Sequence, residues 1–148
     1  MQSDFTIRRM HREDLDKVYA LEQDLFPNPW PKAFFATDLK IDNTIAYVVE
    51  ISTQIVGYSM ASCADGKFHI TNIAVNRLHQ RQGIASRLMH LIERCAIEKN
   101  CNYAFLEVRT DNVAAIGMYK SLGYTIAYRR DHYYIDGDDA YVMEKELV

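Results

Sequence analysis

Three β-prone segments follow one another in the middle of the chain, and a helix and a further strand come directly after them. They read TIAYVVEIS (44–52), QIVGYSMASC (54–63) and KFHITNIAV (67–75), and only short turns join them. Turns of this length connect antiparallel neighbours. The helix predicted over residues 83–98 then leads to the strand NYAFLEVRT (102–110), which requires a parallel crossover. The simplest solution is an α/β fold with a mixed central sheet and helices on both faces.

The rest of the chain adds elements on either side of this central unit. Helical spacing of apolar residues predicts a helix over 11–26, and Pro31 is well placed to open a second helix. A short helix over 112–124 is expected to close at Gly123. The remaining predicted elements are a first strand and the two arms of a terminal hairpin around the Asp-Gly turn signal IDGDD: 5–9, 124–134 and 140–147.

Length and composition narrow the class of protein. The 148 residues fit a single domain over 1–148, and a net charge of −3 gives no case for direct nucleic-acid binding through a broad basic face. No apolar run approaches the ~20 residues that span a bilayer, and the start lacks the apolar core of a signal peptide. We therefore expect a cytoplasmic protein without a membrane partner. The cysteines and histidines lack metal-ligand spacing, so no metal is expected and Cys63, Cys95 and Cys101 are interpreted as small core residues.

The stretch HQRQGIASRLM (79–89) carries a glycine between polar side chains where a strand gives way to a helix. Free backbone N–H groups and the helix dipole favour an anion at such a junction. Gly83 lets the backbone approach a phosphate without a Cβ in the way. The stretch contains neither a P-loop nor a dinucleotide fingerprint, and Q-x-x-G-x-A alone is also typical of an ordinary loop.

Four further segments accompany this loop in a fixed order. They are NIAV (72–75), LEVR (106–109), N-x-x-AI-x-x-Y-x-x-LGY (112–124) and YY-x-DG-x-DA (133–140). Together with the loop they resemble the GNAT superfamily of N-acetyltransferases, in particular the RimI-type branch that acetylates protein N-termini. The resemblance spans nearly the whole chain and implies a GNAT fold with acetyl-CoA as co-substrate.

The resemblance also assigns residues to the acetyl-CoA site. Backbone groups of Ile73, Ala74 and Val75 would meet the pantetheine arm, and Asn112 would add a cofactor contact beside its role as a helix N-cap. The pyrophosphate would lie in the loop formed by Arg81, Gln82, Gly83, Ile84, Ala85 and Ser86. Ala85 stands where many relatives have glycine.

Acetyl transfer to an amine poses two proton problems, and two residues are candidates for solving them. An α-amino group has a pKa near 8, so a base must remove a proton before attack, and the departing thiolate benefits from an acid. Glu107 lies on one face of its strand with Phe105 and Arg109. The residues alone leave open that Glu107 merely pairs with Arg109 or meets solvent; the resemblance implies the base. Tyr119 is by spacing a core aromatic, and the resemblance implies the acid.

The acceptor side depends on the terminal hairpin. Tyr133 and Tyr134, with the aspartates that follow them, are candidates for a rim that receives a chain terminus, and a solvated hairpin is the alternative. The leading hypothesis is direct transfer in a ternary complex to the N-terminal alanine of a small-subunit ribosomal protein. Acetylation of a small amine or antibiotic, and a non-catalytic acyl-CoA-binding module, remain alternatives. Oligomeric state is not predicted.

Overall fold

The computed structural model describes residues 4–148 and contains one seven-stranded sheet. In chain order the strands are β1 (Thr6–Arg9), β2 (Thr44–Ile51), β3 (Gln54–Ala64), β4 (Lys67–Val75), β5 (Tyr103–Arg109), β6 (Thr125–Arg130) and β7 (Ala140–Glu146). Across the sheet they lie in the order β1-β2-β3-β4-β5-β7-β6. β4 and β5 are parallel, and all other neighbours are antiparallel. The predicted mixed sheet is confirmed; the first three residues of the predicted 1–148 domain lie outside the described part.

The helices follow the predicted order. They are α1 (Leu15–Leu25), α2 (Lys32–Leu39), α3 (Ile84–Glu98) and α4 (Val113–Ser121). The helix predicted from residue 11 begins later, because Arg12–Asp14 forms a 3-10 turn. The carboxylate of Asp14 holds that turn, accepting hydrogen bonds from the His11 backbone N–H at 2.7 Å and from the Arg8 guanidinium at 2.8 Å.

Gly123 ends α4 as predicted. Its φ of +99° is left-handed, and its N–H donates to the Lys120 carbonyl at 3.0 Å. The Tyr124 N–H donates to the Tyr119 carbonyl at 3.0 Å, which completes a Schellman-type end. This turn sends the chain back into the sheet at β6.

Two apolar clusters lie on opposite faces of the sheet. One packs α1 and α2 against the central strands and includes Val18, Phe35, Val48, Tyr58 and Met60. The other packs α3 and α4 on the reverse face and includes Ile70, Leu88, Ile92, Leu106 and Met143. Helices therefore cover both faces, as the sequence predicted.

The terminal hairpin forms, but its strands are shorter than predicted. β6 ends at Arg130 and β7 begins at Ala140, so residues 131–139 form a long loop in place of a tight Asp-Gly turn. Gly137 still turns inside this loop, with a φ of +90° and its N–H bonded to the Tyr134 carbonyl at 2.9 Å. We call residues 131–139 the β6–β7 loop.

Candidate active site

The parallel strands β4 and β5 separate partway along their length. Their pairing runs from Lys67 with Tyr103 to Ile70 with Leu106, although both strands continue beyond it. A bulge at Thr71 lies at the point of separation, and the Thr71 hydroxyl donates to the Met60 carbonyl at 3.1 Å. A bulge bends its strand and increases its twist, so it accounts for the cleft that opens here.

The far arm of this cleft carries three residues assigned from the sequence. Ile73, Ala74 and Val75 follow the bulge, and one edge of this arm remains paired with β3 up to Val75 opposite Gly57. The other edge is not paired with β5, which leaves its backbone groups facing the cleft. This is the free strand edge that the sequence analysis expects beside the pantetheine arm; the contact itself stays a prediction.

Glu107 lies on β5 directly beyond the paired segment. Its side chain is 10% exposed, and its Oε1 lies 2.7 Å from Nε2 of His69 on β4. The imidazole also stacks on Phe105, with ring centroids 4.3 Å apart. The alternative that Glu107 pairs with Arg109 is therefore wrong: a buried carboxylate at the mouth of the cleft is held by a histidine that sequence reasoning missed.

Arg109 instead fastens the β6–β7 loop to the end of β5. Its Nη1 donates to Asp136 at 2.9 Å and to Asp138 at 2.8 Å, and its guanidinium lies 4.0 Å from the ring centroid of Tyr134. The pKa of Asp136 is lowered by a hydrogen bond from the Asp138 backbone and by the Arg109 guanidinium. Arg109, the next residue after Glu107 on the same face of β5, therefore holds the β6–β7 loop against the sheet.

The predicted tyrosine rim lies beside Glu107. The rings of Tyr133 and Tyr134 are perpendicular, with centroids 5.0 Å apart. Burial and the negative charge of Glu107 raise the pKa of Tyr133 above its ordinary value, while the Arg130 guanidinium opposes them. Burial raises the pKa of Tyr134 to about 12 although Arg109 acts in the opposite direction. Both phenols are therefore neutral at physiological pH. Tyr133 is 39% exposed and Tyr134 is half-buried, which also fits the alternative of a solvated hairpin with exposed or half-packed tyrosines, so the role of this rim in receiving a chain terminus stays a prediction.

A second loop reaches the rim from the other side. Buried Glu22 accepts hydrogen bonds from the Trp30 backbone N–H at 2.9 Å, from the Asn72 amide at 2.9 Å and from the Tyr58 hydroxyl. These bonds fix the connection between α1 and α2 to the bent arm of β4. The same connection meets the β6–β7 loop, where Asn28 donates to Asp136 at 3.2 Å. Two loops therefore flank this face of the cleft.

The glycine loop has the geometry of an anion site. Arg81 and Gly83 both have left-handed φ, +64° and +80°, and a Cβ on Gly83 would meet no protein atom within 4 Å. Within residues 4–148, the backbone N–H groups of 81–86 have no hydrogen-bond acceptor. Gln80 holds the loop from behind, donating to the Val75 carbonyl at 3.0 Å. The loop thus presents free donors at the start of α3, with Ile84 buried and Ala85 and Ser86 half-buried behind them.

Tyr119 lies on α4, and Asn112 is the residue directly before this helix. Tyr119 is 7% exposed, and burial raises its pKa well above the ordinary value. The Tyr119 hydroxyl has no hydrogen-bond partner among residues 4–148. Its oxygen is nevertheless not fully enclosed by those residues. Asn112 caps α4, with its Oδ1 accepting from the Ala115 N–H at 3.2 Å, so the predicted N-cap is confirmed.

None of the helices in 4–148 is long and apolar enough to cross a membrane. In the same range, no three His, Cys, Asp or Glu side chains are grouped as a metal site would require.

Comparison with known proteins gives a consistent result. The family model described as Acetyltransferase (GNAT) family matches residues 15–124. An uncharacterised N-acetyltransferase of Methanocaldococcus jannaschii is 35% identical over 95% of this chain and 90% of its own length. A putative [ribosomal protein bS18]-alanine N-acetyltransferase of Bacillus subtilis is 33% identical over 97% of this chain and 96% of its own. An N-alpha-acetyltransferase of Sulfurisphaera tokodaii is 31% identical over 97% of this chain and 94% of its own length.

Solved structures agree with these relatives. The ribosomal-protein-S18-alanine N-acetyltransferase of Escherichia coli superposes with a TM-score of 0.89 at 28% identity, covering 97% of this chain and 94% of its own. Ard1 of Thermoplasma volcanium superposes with a TM-score of 0.91 at 28% identity, and the match covers 97% of this chain and 98% of Ard1.

Proposed function

We propose that this chain, which belongs to the acetyltransferase (GNAT) family and has the GNAT fold, transfers the acetyl group of acetyl-CoA to the N-terminal α-amine of a protein. The finer proposal is that the preferred acceptor is the N-terminal alanine of a small-subunit ribosomal protein. The names of the Bacillus subtilis relative and the Escherichia coli structure support that acceptor. The Sulfurisphaera tokodaii relative, named only for N-alpha-acetylation, supports the broader form.

The pair formed by Glu107 and His69, with 2.7 Å between the carboxylate and the imidazole, carries the proposal. An α-amine is mostly protonated at neutral pH and cannot attack until it loses a proton. The Glu107 carboxylate lies between the opened strands and the tyrosine rim, where an incoming amine would arrive. His69 fixes the direction of the carboxylate, so Glu107 is our candidate base and His69 its positioning residue.

The donor side is assigned to the opposite part of the cleft. The free N–H groups of residues 81–86 fit a pyrophosphate because they combine unpaired donors with the positive end of the α3 dipole. Arg81 and Arg87 add positive charge on and beside this loop. The backbone of Ile73, Ala74 and Val75 leads from the loop towards Glu107, and Asn112, the N-cap of α4, is assigned the additional cofactor contact. Acetyl-CoA bound there would supply the thioester carbonyl that the amine attacks.

Tyr119 is assigned as the acid that protonates the departing thiolate. A tyrosine hydroxyl is protonated at neutral pH, so a proton is available to donate, while burial, which raises the pKa of Tyr119, makes it a weaker acid than an exposed tyrosine. Its hydroxyl is committed to no other residue of 4–148, unlike that of Tyr124, which is bound to Glu93 at 2.6 Å. A free hydroxyl in an otherwise apolar environment is the arrangement that such a donor needs.

The cysteines favour direct attack by the amine. Cys63 and Cys101 are buried, and burial raises the pKa of the Cys63 thiol to about 12. A thiol with so high a pKa is not a thiolate at neutral pH, and only the thiolate is a strong nucleophile. Cys63 is therefore a poor candidate for an acetylated intermediate, which favours direct attack of the amine on acetyl-CoA within a ternary complex.

A peptide panel tests the proposed function. Peptides that differ only at the first residue are incubated with the chain and acetyl-CoA, and mass spectrometry locates the acetyl group. We expect acetylation of the α-amine with the highest kcat/KM for the alanine-start peptide, and none when that amine is blocked. Transfer to an internal lysine of the blocked peptide, or higher kcat/KM for a polyamine or an aminoglycoside, would contradict the proposal.

A further inference from the structure

On the sheet face that carries Glu107, the helices α1 and α2 cover only part of the strands, and the part formed by β5 has no helix packed on it. α1 and α2 pack on residues from β2, β3 and β4. β5 alternates, so Tyr103, Phe105 and Glu107 point to the side away from α3 and α4. Neither apolar cluster of residues 4–148 includes Tyr103 or Phe105. The face beside the candidate base is therefore open along the strand.

Aromatic rings line this open face in an unbroken row. His69 stacks on Phe105 with centroids 4.3 Å apart, and Phe105 stacks on Tyr103 at 5.9 Å. The Tyr103 hydroxyl donates to the Glu144 carboxylate at 2.5 Å. We call His69, Phe105 and Tyr103 the aromatic row. It begins at the partner of Glu107 and ends at Glu144.

The charge at the far end of the row is negative. Glu144 lies on β7 opposite Phe105, and Glu146 lies opposite Tyr103. Lys67 lies opposite Tyr103 on the other neighbouring strand, so two carboxylates face one ammonium group. His69 and Phe105 turn ring faces towards each other, so a cation is best received at the end of the row, where the Tyr103 ring lies beside Glu144. There both the face of the ring and the carboxylate favour a lysine or arginine side chain.

We propose that the aromatic row binds the acceptor polypeptide downstream of its acetylated end, with Glu144 and Tyr103 receiving a basic side chain near position five. This inference rests on the proposed function. Tyr103 lies four residues before Glu107 on β5, a span of about 13 Å at ~3.3 Å per residue. An extended acceptor whose α-amine meets Glu107 reaches Tyr103 with about its fifth residue.

The position of the row favours an acceptor over the acetyl donor as its occupant. The row is continuous with the Glu107–His69 pair and lies on the same side of the sheet as the tyrosine rim. Acetyl-CoA carries phosphates, which Glu144 and Glu146 would repel. A basic polypeptide is attracted by the same carboxylates, so the charge of this surface selects among acceptors.

Peptides that differ at position five test the inference. Three alanine-start peptides carry lysine, alanine or glutamate there, and a fourth carries the lysine at position nine. We expect kcat/KM to be highest for lysine at five and to fall about fivefold at each step to alanine and glutamate. The difference should lie in KM with kcat unchanged, because the contact is made equally before and during transfer. Lysine at position nine should behave like alanine at five.

Charge exchange in the protein completes the test. Glu144→Lys should reverse the order and favour the peptide with glutamate at five, whereas the exposed control Glu98→Gln should leave it unchanged. Phe105→Leu keeps an apolar side chain but removes the ring, and should reduce the lysine preference while thermal unfolding verifies the fold. Equal kcat/KM for all position-five peptides overturns the inference and leaves the proposed function standing. Absence of transfer to any of them, with acetyl-CoA still bound, overturns the proposed function on which the inference rests.

Discussion

The guanidinium of Arg109 lies 4.0 Å above the ring of Tyr134 while its Nη1 binds Asp136 and Asp138 at 2.9 and 2.8 Å. Arg109 is the last residue of β5, two positions beyond Glu107. One side chain therefore joins the strand that carries the candidate base to the loop that carries the tyrosine rim. The Arg109 contact adds to the bonds within the loop that hold Tyr134, from its N–H to the Asp138 carbonyl at 3.1 Å and from the Gly137 N–H to its carbonyl at 2.9 Å.

Arg109→Met should release the β6–β7 loop and impair the acceptor side. We expect kcat/KM for an alanine-start peptide to fall about 10- to 100-fold, because a misplaced rim loses orientation, with the Kd for acetyl-CoA unchanged. Arg129→Met is the matched control, since Arg129 forms an exposed ion pair with Asp131 in the same hairpin. Steady-state kinetics together with calorimetry of acetyl-CoA binding test this prediction. Equal losses in both variants would contradict it.

Gly83→Ala should weaken acetyl-CoA binding. Gly83 has a φ of +80°, a left-handed conformation that costs alanine about 1–2 kcal/mol. We expect the free variant to leave this conformation, so that the binding of acetyl-CoA must supply the energy to restore it. We expect the Kd for acetyl-CoA to rise about 5- to 30-fold. Gly137→Ala imposes similar strain, at a φ of +90°, but in the β6–β7 loop. It should raise the KM of the peptide and leave the Kd for acetyl-CoA as in wild type. A rise in that Kd for Gly137→Ala alone would contradict the assignment.

Tyr119→Phe and Tyr124→Phe should have opposite consequences. Removing the Tyr119 hydroxyl should lower kcat about 10- to 100-fold by loss of the acid, with little change in stability because the hydroxyl bonds to no residue of 4–148. Removing the Tyr124 hydroxyl breaks its bond to buried Glu93 and should cost about 1–2 kcal/mol in the free energy of unfolding. Its kcat should stay near the wild-type value. Urea unfolding and kinetics on both variants separate the two roles, and a Tyr119→Phe enzyme of normal kcat would exclude Tyr119 as the acid.

Asp14 should contribute a pH-dependent part of the stability. The Arg8 guanidinium holds the pKa of Asp14 below its ordinary value, despite burial, which acts in the opposite direction. A lowered pKa in the folded state gives stability that is present above the unfolded value of about 3.9 and is lost as the pH falls through the folded value. Asp14→Asn should therefore be less stable than wild type at pH 7. The difference in the free energy of unfolding should shrink below about pH 4, and a constant difference down to pH 2 would contradict this account.

The order of elements could be predicted because local signals agree with the final fold. Short turns specified the antiparallel β2, β3 and β4, and the crossover helix specified a parallel β5. Gly83 and Gly123 lie at the ends of helices, where a left-handed φ is needed. The bulge at Thr71 has no such local signal, since it depends on how β3 and β4 pair.

The candidate site was only partly predictable for a related reason. Alternation along β5 placed Glu107 on a face with Phe105 and Arg109, which the structure confirms. His69 is 38 residues away, and only the register of β4 with β5 brings it beside Glu107. From the sequence, Arg109 was a candidate partner of Glu107, but the aspartates of the β6–β7 loop bind Arg109 instead. Long-range register, and not residue type, decides these pairings.

The most direct test measures Glu107→Gln with an alanine-start peptide. The variant keeps the shape of the side chain and its contact with His69 but cannot accept a proton from the amine. We expect kcat to fall about 100-fold or more, with the Kd for acetyl-CoA unchanged by calorimetry, while Glu98→Gln behaves as wild type. A Glu107→Gln enzyme that binds acetyl-CoA and acetylates the peptide at the wild-type kcat would contradict the account.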